Sequence, residues 1–442
     1  MTDTHILNIG FDDTDSPKGM CTTFLAYKIV DLLKKQETEF LDFPKLIRFN
    51  PNIPWKTRGN GAVSLRIRTK NPSKIKNQIK NLVEKYSDIK NGANPGLVFY
   101  ESEEIPEQFT RFSKLALWQL INRNRAKKFA TKNNIEFFYQ GNGQGLVGAI
   151  GAIGYDFQDH TLELLSYRKN SNFGKERKLS AKSVKTMQEK TLPYTFNSFD
   201  DKKQRVLITP HGPDPVFYGV RGENVNSLLH ATKILKTDEK LAGYMIFKSN
   251  QGTGDHLKNE FNITNIRPYA SGKITGIISD EPKIVKGGHV FFSIISDGYE
   301  LRCAVYKPTR MSFVALSLIK GDKVCIGGGI RKASKNHPRI LNLEFIDVIN
   351  LEKNLIKSNP ICKKCDKKMK SKGKSQGYQC TKCGKKLSTK VILEIPRKIK
   401  KQLYIPSVSA HRHLSRPLQR IGRINKESKF DESTSWFCVY EK

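Results

Sequence analysis

A multidomain α+β protein is the fold class the sequence predicts: an α/β segment, an α+β segment, a small β-barrel and a metal-bound ribbon. Three observations carry it. Strand-like and helix-like patterns alternate through the first part of the chain. Short apolar runs punctuated by glycine follow, and after them come two Cys-x-x-Cys pairs. The 442 residues suit three or four domains, at roughly 100–200 residues per domain. A hydrophobic content of 38%, with 10% aromatic, excludes a mainly disordered chain. The 77 Lys+Arg against 42 Asp+Glu give a net charge of +35, which points to a polyanionic partner, most often nucleic acid. No apolar run approaches the roughly 20 residues a membrane span needs. Met1-Thr2-Asp3-Thr4-His5 is too polar for a signal peptide, so a soluble, cytoplasmic protein is expected.

Ile6–Phe11 reads as a buried strand running into Asp12-Asp13-Thr14-Asp15-Ser16 and the turn Pro17-Lys18-Gly19. Phe24, Leu25, Tyr27, Ile29, Val30, Leu32 and Leu33 then give a wide helical apolar face, with Thr22 or Thr23 where an N-cap belongs. Strands Leu46–Phe49 and Ala62–Ile67 flank the loop 50–61, and basic helices are expected near 73–86 and 107–132 around a strand Leu97–Tyr100. Beyond the glycine-rich 141–145, Leu146–Tyr155 reads as a strand pairing with Thr161–Tyr167. Strand Val206–Thr209, helix Glu223–Leu235 and strand Gly243–Phe247 complete this α+β part.

Five strand-like segments, Ile274–Ile278, Val290–Ile295, Leu301–Val305, Val324–Ile326 and Ile340–Phe345, suit an oligonucleotide-binding (OB) barrel. Cys362, Cys365, Cys380 and Cys383, with fourteen residues between the pairs, have the spacing of a tetrahedral structural Zn²⁺ site. Cys21, Cys303, Cys325 and Cys438 are expected to be reduced, packed thiols. Lys363–Lys401 carries fifteen Lys/Arg against two acids, which beside a barrel and a ribbon reads as a phosphate-tracking surface. The positive tail, including 409–420, is expected to extend it.

Three aspartates within four positions, at a strand end, make a Mg²⁺ site, although Asp, Ser and Thr are also ordinary turn residues. Gly19–Thr23 at a helix start offers N–H groups to a phosphate, and Lys18, Lys56 and Arg58 supply cations. Gly59-Asn60-Gly61 allows close approach to a phosphate, but neither a P-loop nor a GxGxxG fingerprint is present. In the second dense string, 211–223, Asp214 or Glu223 could hold a cationic substrate and His211 could carry a proton. Each also has a structural reading: Glu223 as a helix cap, Asp214 as a turn residue.

Gly10-Phe11-Asp12-Asp13-Thr14-Asp15-Ser16 with Gly19-Met20-Cys21-Thr22-Thr23 resembles the N-terminus of the archaeal tRNA-Ile 2-agmatinylcytidine synthetase (TiaS) family. The resemblance continues through 50–61, 211–223, the barrel, the four-cysteine ribbon and the basic tail. Phe11 departs from the aliphatic residue expected there, which touches packing only. The resemblance implies a kinase-like catalytic domain over 1–137, a ferredoxin-like domain over 138–260, an OB-fold over 261–352, a zinc ribbon over 358–390 and a basic tail over 391–442.

The activity it implies is an ATP-dependent ligase that attaches agmatine to C2 of the wobble cytidine in the CAU-anticodon isoleucine tRNA, so that the tRNA reads AUA. ATP yields AMP and phosphate, the C2 oxygen is activated as a phosphate ester, and agmatine's primary amine displaces that phosphate. Thr22 matches the threonine that becomes phosphorylated. Asp12, Asp13 and Asp15 would coordinate Mg²⁺, and Lys18, Lys56 and Arg58, with Gly59 and Gly61, would bind ATP phosphate. Asp214 is the first candidate for the agmatine guanidinium, with Glu223 and His211 after it. The alternative is a non-catalytic RNA-binding protein of OB-fold plus zinc-ribbon type.

Overall fold

Strand His5–Asp12 is buried along nearly its whole length because it is a central strand. It pairs antiparallel with Gly61–Thr69 on one side and Gly96–Glu101 on the other. The computed structural model describes residues 4–335, 338–426 and 430–440. These fall into two compact units. One comprises Met1–Lys273, Gly327–Arg339 and Pro406–Lys442, and the other Ile274–Ile326 and Ile340–Ile405.

The first unit is built on one eleven-stranded sheet. Its two halves meet where Lys45–Arg48 pairs in parallel with Leu241–Ser249, with Ser249 Oγ donating to the Leu46 carbonyl at 2.6 Å. Beyond that seam lie Thr161–Arg168 and Val216–Gly222, again antiparallel. Helix Thr22–Leu33 packs with Leu7, Ile9 and Phe11 in one core. Helices Glu107–Trp118 and Leu146–Ile153 pack with Ile47, Phe49 and Val98 in a second.

Several expectations need correction. Residues 146–153 form a helix, Leu146–Ile153, not a strand paired with Thr161–Tyr167. A short continuous apolar run cannot be assigned by periodicity, and here small residues let the helix lie directly on the sheet. A side chain at Gly10 would strike the Ala149 carbonyl, and one at Gly148 would strike the Asp12 carboxylate. The expected helix over 107–132 is two, Glu107–Trp118 and Arg123–Lys132. Val206–Thr209 is reduced to Arg205–Val206, bridged to Phe199–Asp200. The N-cap of Thr22–Leu33 is Cys21, without a side-chain cap, so Thr22 and Thr23 lie in the first turn. Helix Val225–Ile234 is capped by Asn224, whose Oδ1 accepts from Ser227 N–H at 2.9 Å, and not by Glu223.

The barrel has the five strands expected: Ser271–Ile278, His289–Ser296, Tyr299–Val305, Lys323–Arg331 and Ile340–Asn350. It closes through Ile277 opposite Ile295. In the ribbon the four cysteine sulfurs lie within 4.8 Å of one another, and Cys362 Sγ is 3.5 Å from Cys383 Sγ. Zn–S bonds of about 2.3 Å at tetrahedral angles need about this spacing. Only Cys362, Met369 and Cys380 form a buried core there, so metal must supply most of the folding energy, roughly 10–16 kcal/mol in comparable small sites. Chelation, or Cys380→Ser, is therefore expected to unfold 359–390 locally while the first unit keeps its melting temperature. Zinc stoichiometry with limited proteolysis checks this.

Part of the basic tail turns into the fold, while Lys398, Lys400 and Lys401 stay exposed. Phe437–Val439 adds a strand to Leu241–Ser249, and Trp436 is fully buried in the first unit's core. Buried carboxylates at Asp159 and Glu223, far away in sequence, draw Arg416 and Arg420 inward. Among the described residues no helix is long and apolar enough to cross a membrane.

Candidate active site

The chain leaves the first strand through a tight turn in which Asp13 takes a left-handed backbone (φ 56°) and donates its N–H to Asp12 Oδ1 at 2.7 Å. Burial lifts the Asp12 carboxyl to about 7, with Asp15 adding to the rise. Burial lifts Asp13 to about 8, helped by the charges of Asp12 and Asp15. Asp15 is also raised by burial, against Arg58 at 3.2 Å and the Thr57 hydroxyl at 2.9 Å. Buried Thr14 donates its hydroxyl to Thr22 Oγ at 3.1 Å.

Two cavities flank the loop 53–61. The smaller, about 60 Å³, has Asp12 and Asp13 in its wall with Phe49, Trp55, Gln119 and Gln144. The larger, about 920 Å³, is lined by Asp15, Thr22, Thr23, His211 and Asp214, among others. Trp55, Lys56, Thr57 and Gly61 line both. The three aspartates therefore do not converge as one ligand trio. Among the described residues the four cysteines are the only cluster of three or more metal-ligating groups.

Arg58 works on the loop, donating to the carbonyls of Met20 (2.7 Å) and Ser16 (3.2 Å) as well as pairing with Asp15. Lys56 donates to the Arg58 carbonyl at 3.0 Å, and burial lowers its pKa. Lys18 is exposed and lines neither cavity. A Cβ at Gly59 would sit 2.6 Å from the His413 ring and 2.8 Å from Arg48, and one at Gly61 also 2.6 Å from Arg48. The want of a side chain at these positions makes room for protein groups.

Asp214 is 2% exposed. Its Oδ1 accepts from Val216 N–H at 3.1 Å, while Oδ2 has no hydrogen-bond partner among the described residues. Burial raises its pKa, against Arg58 and Arg177. His211 is exposed, with Nε2 at 2.5 Å from an Arg205 guanidinium nitrogen. Glu223 stands apart from both cavities: strand Val216–Gly222 delivers it to the tail, where it accepts from Arg420 (2.8 Å) and Asn425 (2.6 Å).

Sequence reasoning missed a buried network in the larger cavity. Glu163 accepts from Arg221 Nε at 3.1 Å and from Gln251 Nε2, and lies 3.8 Å from Arg48. His413, from the tail, is 2.9 Å from both Gln251 Oε1 and Arg221, and burial beside Arg48, Arg221 and Lys56 holds its pKa well below the usual histidine value. The one visible signal was Glu163 itself, an acid in the apolar strand Thr161-Leu162-Glu163-Leu164-Leu165.

Three family profiles match the chain: the TiaS TCKD domain over residues 8–72, the TiaS FLD domain over 143–256 and the TiaS C-terminal zinc ribbon domain over 359–399. TiaS of Cenarchaeum symbiosum, a 2-agmatinylcytidine synthetase for an isoleucine tRNA, is 48% identical over 98% of this chain and 97% of its own. The crystal structure of a TiaS complex with that isoleucine tRNA and ATP superposes with a TM-score of 0.86 at 33% identity, covering 96% of this chain and 99% of the other. A TiaS complex with the tRNA, AMPCPP and agmatine gives 0.83 at 32% identity, covering 94% and 97%. Similarity of this extent, from the aspartate turn through the ribbon, makes the chain a member of the TiaS family.

Proposed function

We propose that the protein is an ATP-dependent carbon–nitrogen ligase that joins agmatine to C2 of the wobble cytidine in the CAU-anticodon isoleucine tRNA, making 2-agmatinylcytidine so that the tRNA decodes AUA. The observation that carries this reading is one cavity lined by Thr22, Asp15 and the unpaired edge of Asp214, sharing a loop with a second cavity that holds Asp12 and Asp13. Relatives and solved complexes named for an isoleucine tRNA, ATP and agmatine support it.

In this reading ATP occupies the side of Asp12 and Asp13. Two half-buried carboxylates whose charge is opposed by burial and by neighbouring aspartates suit a Mg²⁺ ion. When bound it would neutralise charge on the phosphates. Lys56 lies between the two cavities, where it stabilises the phosphoryl group in transfer. Thr22, hydrogen-bonded by Thr14, is the protein's own phosphoryl acceptor. The cytidine leaves the anticodon stack to reach the larger cavity. Its C2–O bond breaks after that oxygen has been phosphorylated, and the agmatine amine forms the new C2–N bond. Asp214 Oδ2 receives a cationic end of agmatine, and His211 is the nearby proton carrier. Glu223, engaged by Arg420 and Asn425, is left out of amine binding. The division of labour follows residues 1–137 as kinase-like, 138–260 as ferredoxin-like, 261–352 as OB-fold and 358–390 as zinc ribbon.

Nucleoside mass spectrometry on isoleucine tRNA (CAU), incubated with the protein, ATP, Mg²⁺ and agmatine, tests the reading. The wobble cytidine should gain the mass of agmatine less water, and only with ATP present. An unchanged cytidine on tightly bound tRNA would favour the non-catalytic alternative.

A further inference from the structure

Loop 210–216, which carries Asp214 into the larger cavity, has four of its carbonyls held by one side chain from elsewhere. Arg177 donates to the carbonyls of Pro210 (3.0 Å), Gly212 (2.9 Å), Asp214 (2.8 Å) and Val216 (2.8 Å). It also approaches Asp214 Oδ1 at 3.5 Å. A planar guanidinium with five fixed N–H donors can span four carbonyls; an ammonium cannot. Arg177 is itself placed by Arg168, at the end of strand Thr161–Arg168. Arg168 pairs with Glu239 through two bonds of 2.6 and 2.7 Å and donates to the carbonyls of Lys175 (2.6 Å) and Glu176 (3.1 Å). Neither arginine lines either of the two cavities, whereas Pro210, Gly212, Asp214 and Val216 all line the larger.

The consequence is a carboxylate with one edge committed and one open. Val216 N–H and Arg177 engage Oδ1, and Oδ2, although buried, has no hydrogen-bond partner among the described residues. An ionised buried oxygen left so is costly unless a ligand supplies the missing donor.

We propose that Arg177 is a positioning residue for the amine substrate: by stapling loop 210–216 it aims Asp214 Oδ2 at the cavity, where that oxygen takes a protonated amine or guanidinium. The proposal rests on the reading of Asp214 as the amine-binding carboxylate. It places Arg177 in control of amine affinity and outside the phosphoryl-transfer chemistry.

Steady-state kinetics of the full-length protein, with agmatine and ATP each varied, test it. Arg177→Lys keeps the charge and loses the fork, so the KM for agmatine should rise about tenfold while kcat and the KM for ATP stay within about twofold. Gly212→Ala is the second variant. Gly212 does not occupy left-handed backbone, and a Cβ there lies 3.4 Å from Asp214 Oδ2 and 3.8 Å from Arg58 Nε, in ordinary contact, so it shields the oxygen without unfolding the loop. It too should raise the KM for agmatine selectively, as a probe of the oxygen itself; if Arg177→Lys does not fold, Glu239→Gln, which loosens Arg168 behind Arg177, takes its place and should shift the same KM. Equal changes for ATP and agmatine, or no change for agmatine, overturn the proposal. Asp214→Asn separates the two layers. If it leaves the agmatine KM at the wild-type value, the reading of Asp214 itself fails. If it raises that KM while Arg177→Lys does not, only the positioning role falls.

Discussion

Asp13→Asn is expected to reduce agmatine incorporation by about 10²–10³-fold, the usual loss when one electrostatic element of a transition-state site is removed, and to leave the Kd for tRNA within about twofold. Asparagine is the informative replacement because Asp13 sits at φ 56°, a left-handed conformation that Asn tolerates and most side chains do not. The turn is kept and only the charge is lost. Single-turnover incorporation of labelled agmatine, beside filter binding of tRNA, measures the two effects separately. Retention of a tenth or more of the activity would remove Asp13 from the phosphoryl-transfer site.

The same variant has a signature in stability. In the metal-free protein Asp13 has its pKa raised from 3.8 to about 8, so over that interval the folded state binds more protons than the unfolded one. Stability contributed by the protonated carboxyl is therefore present at low pH and lost as pH rises towards 8. Asp13→Asn removes that loss. Without metal, the variant should melt above the wild type at pH 8 and close to it near pH 4. Added Mg²⁺ should narrow the gap at pH 8, because a bound cation stabilises the ionised carboxylate that only the wild type carries.

How much of this was legible in the sequence depends on the range of the interaction. The aspartate turn, the helix after it and the cysteine pairs are local patterns in which spacing alone fixes the geometry. The barrel strands were legible because glycines bracket short apolar runs. The helix Leu146–Ile153 was not. Its eight apolar or glycine residues suit a strand equally well, and what decides is the close approach of Gly148 to Asp12, a partner more than a hundred residues earlier. The same limit hid Arg177, which reads as one cation among many until its four carbonyl acceptors are brought to it. It also hid His413, whose tail reads as an extension of the basic surface until Asp159 and Glu223 claim the arginines. Asp214 could be nominated from its string, but that one of its oxygens is committed and the other open is a property of the folded loop.

Asp159→Ala should destabilise the first unit strongly, by roughly 3–5 kcal/mol, the usual cost of removing one partner from a buried ion pair, because two arginines lose their shared carboxylate at once. Asp159 is 1% exposed and holds three groups at once: Arg416 at 2.6 Å, Arg420 at 2.8 Å and the Asn425 N–H at 2.9 Å. Arg420 is fully buried, and without Asp159 its guanidinium keeps Glu223 and the carbonyls of Gly252 and His160. At about 2–4 °C per kcal/mol for a unit of this size the melting temperature should fall by roughly 10 °C. Arg420→Ala should cost less, because Asp159 then keeps Arg416 and the Asn425 N–H and Glu223 keeps the Asn425 amide, whereas Asp159→Ala takes the carboxylate from two arginines together. Hydrogen exchange locates the damage. The tail is pinned to the first unit by the Gly252 and Gly254 amides donating to the His413 and Leu414 carbonyls at 2.9 and 2.8 Å, next to the arginine pairs. Loss of Asp159 should therefore raise exchange across 411–425 before the eleven-stranded sheet opens. Because Arg412 and His413 line the larger cavity, activity should fall at temperatures where the sheet is still intact. An equal loss of protection in the tail and the sheet would mean that the tail unfolds only with the whole unit, and that the arginine pairs contribute to global stability without separately holding the cavity wall.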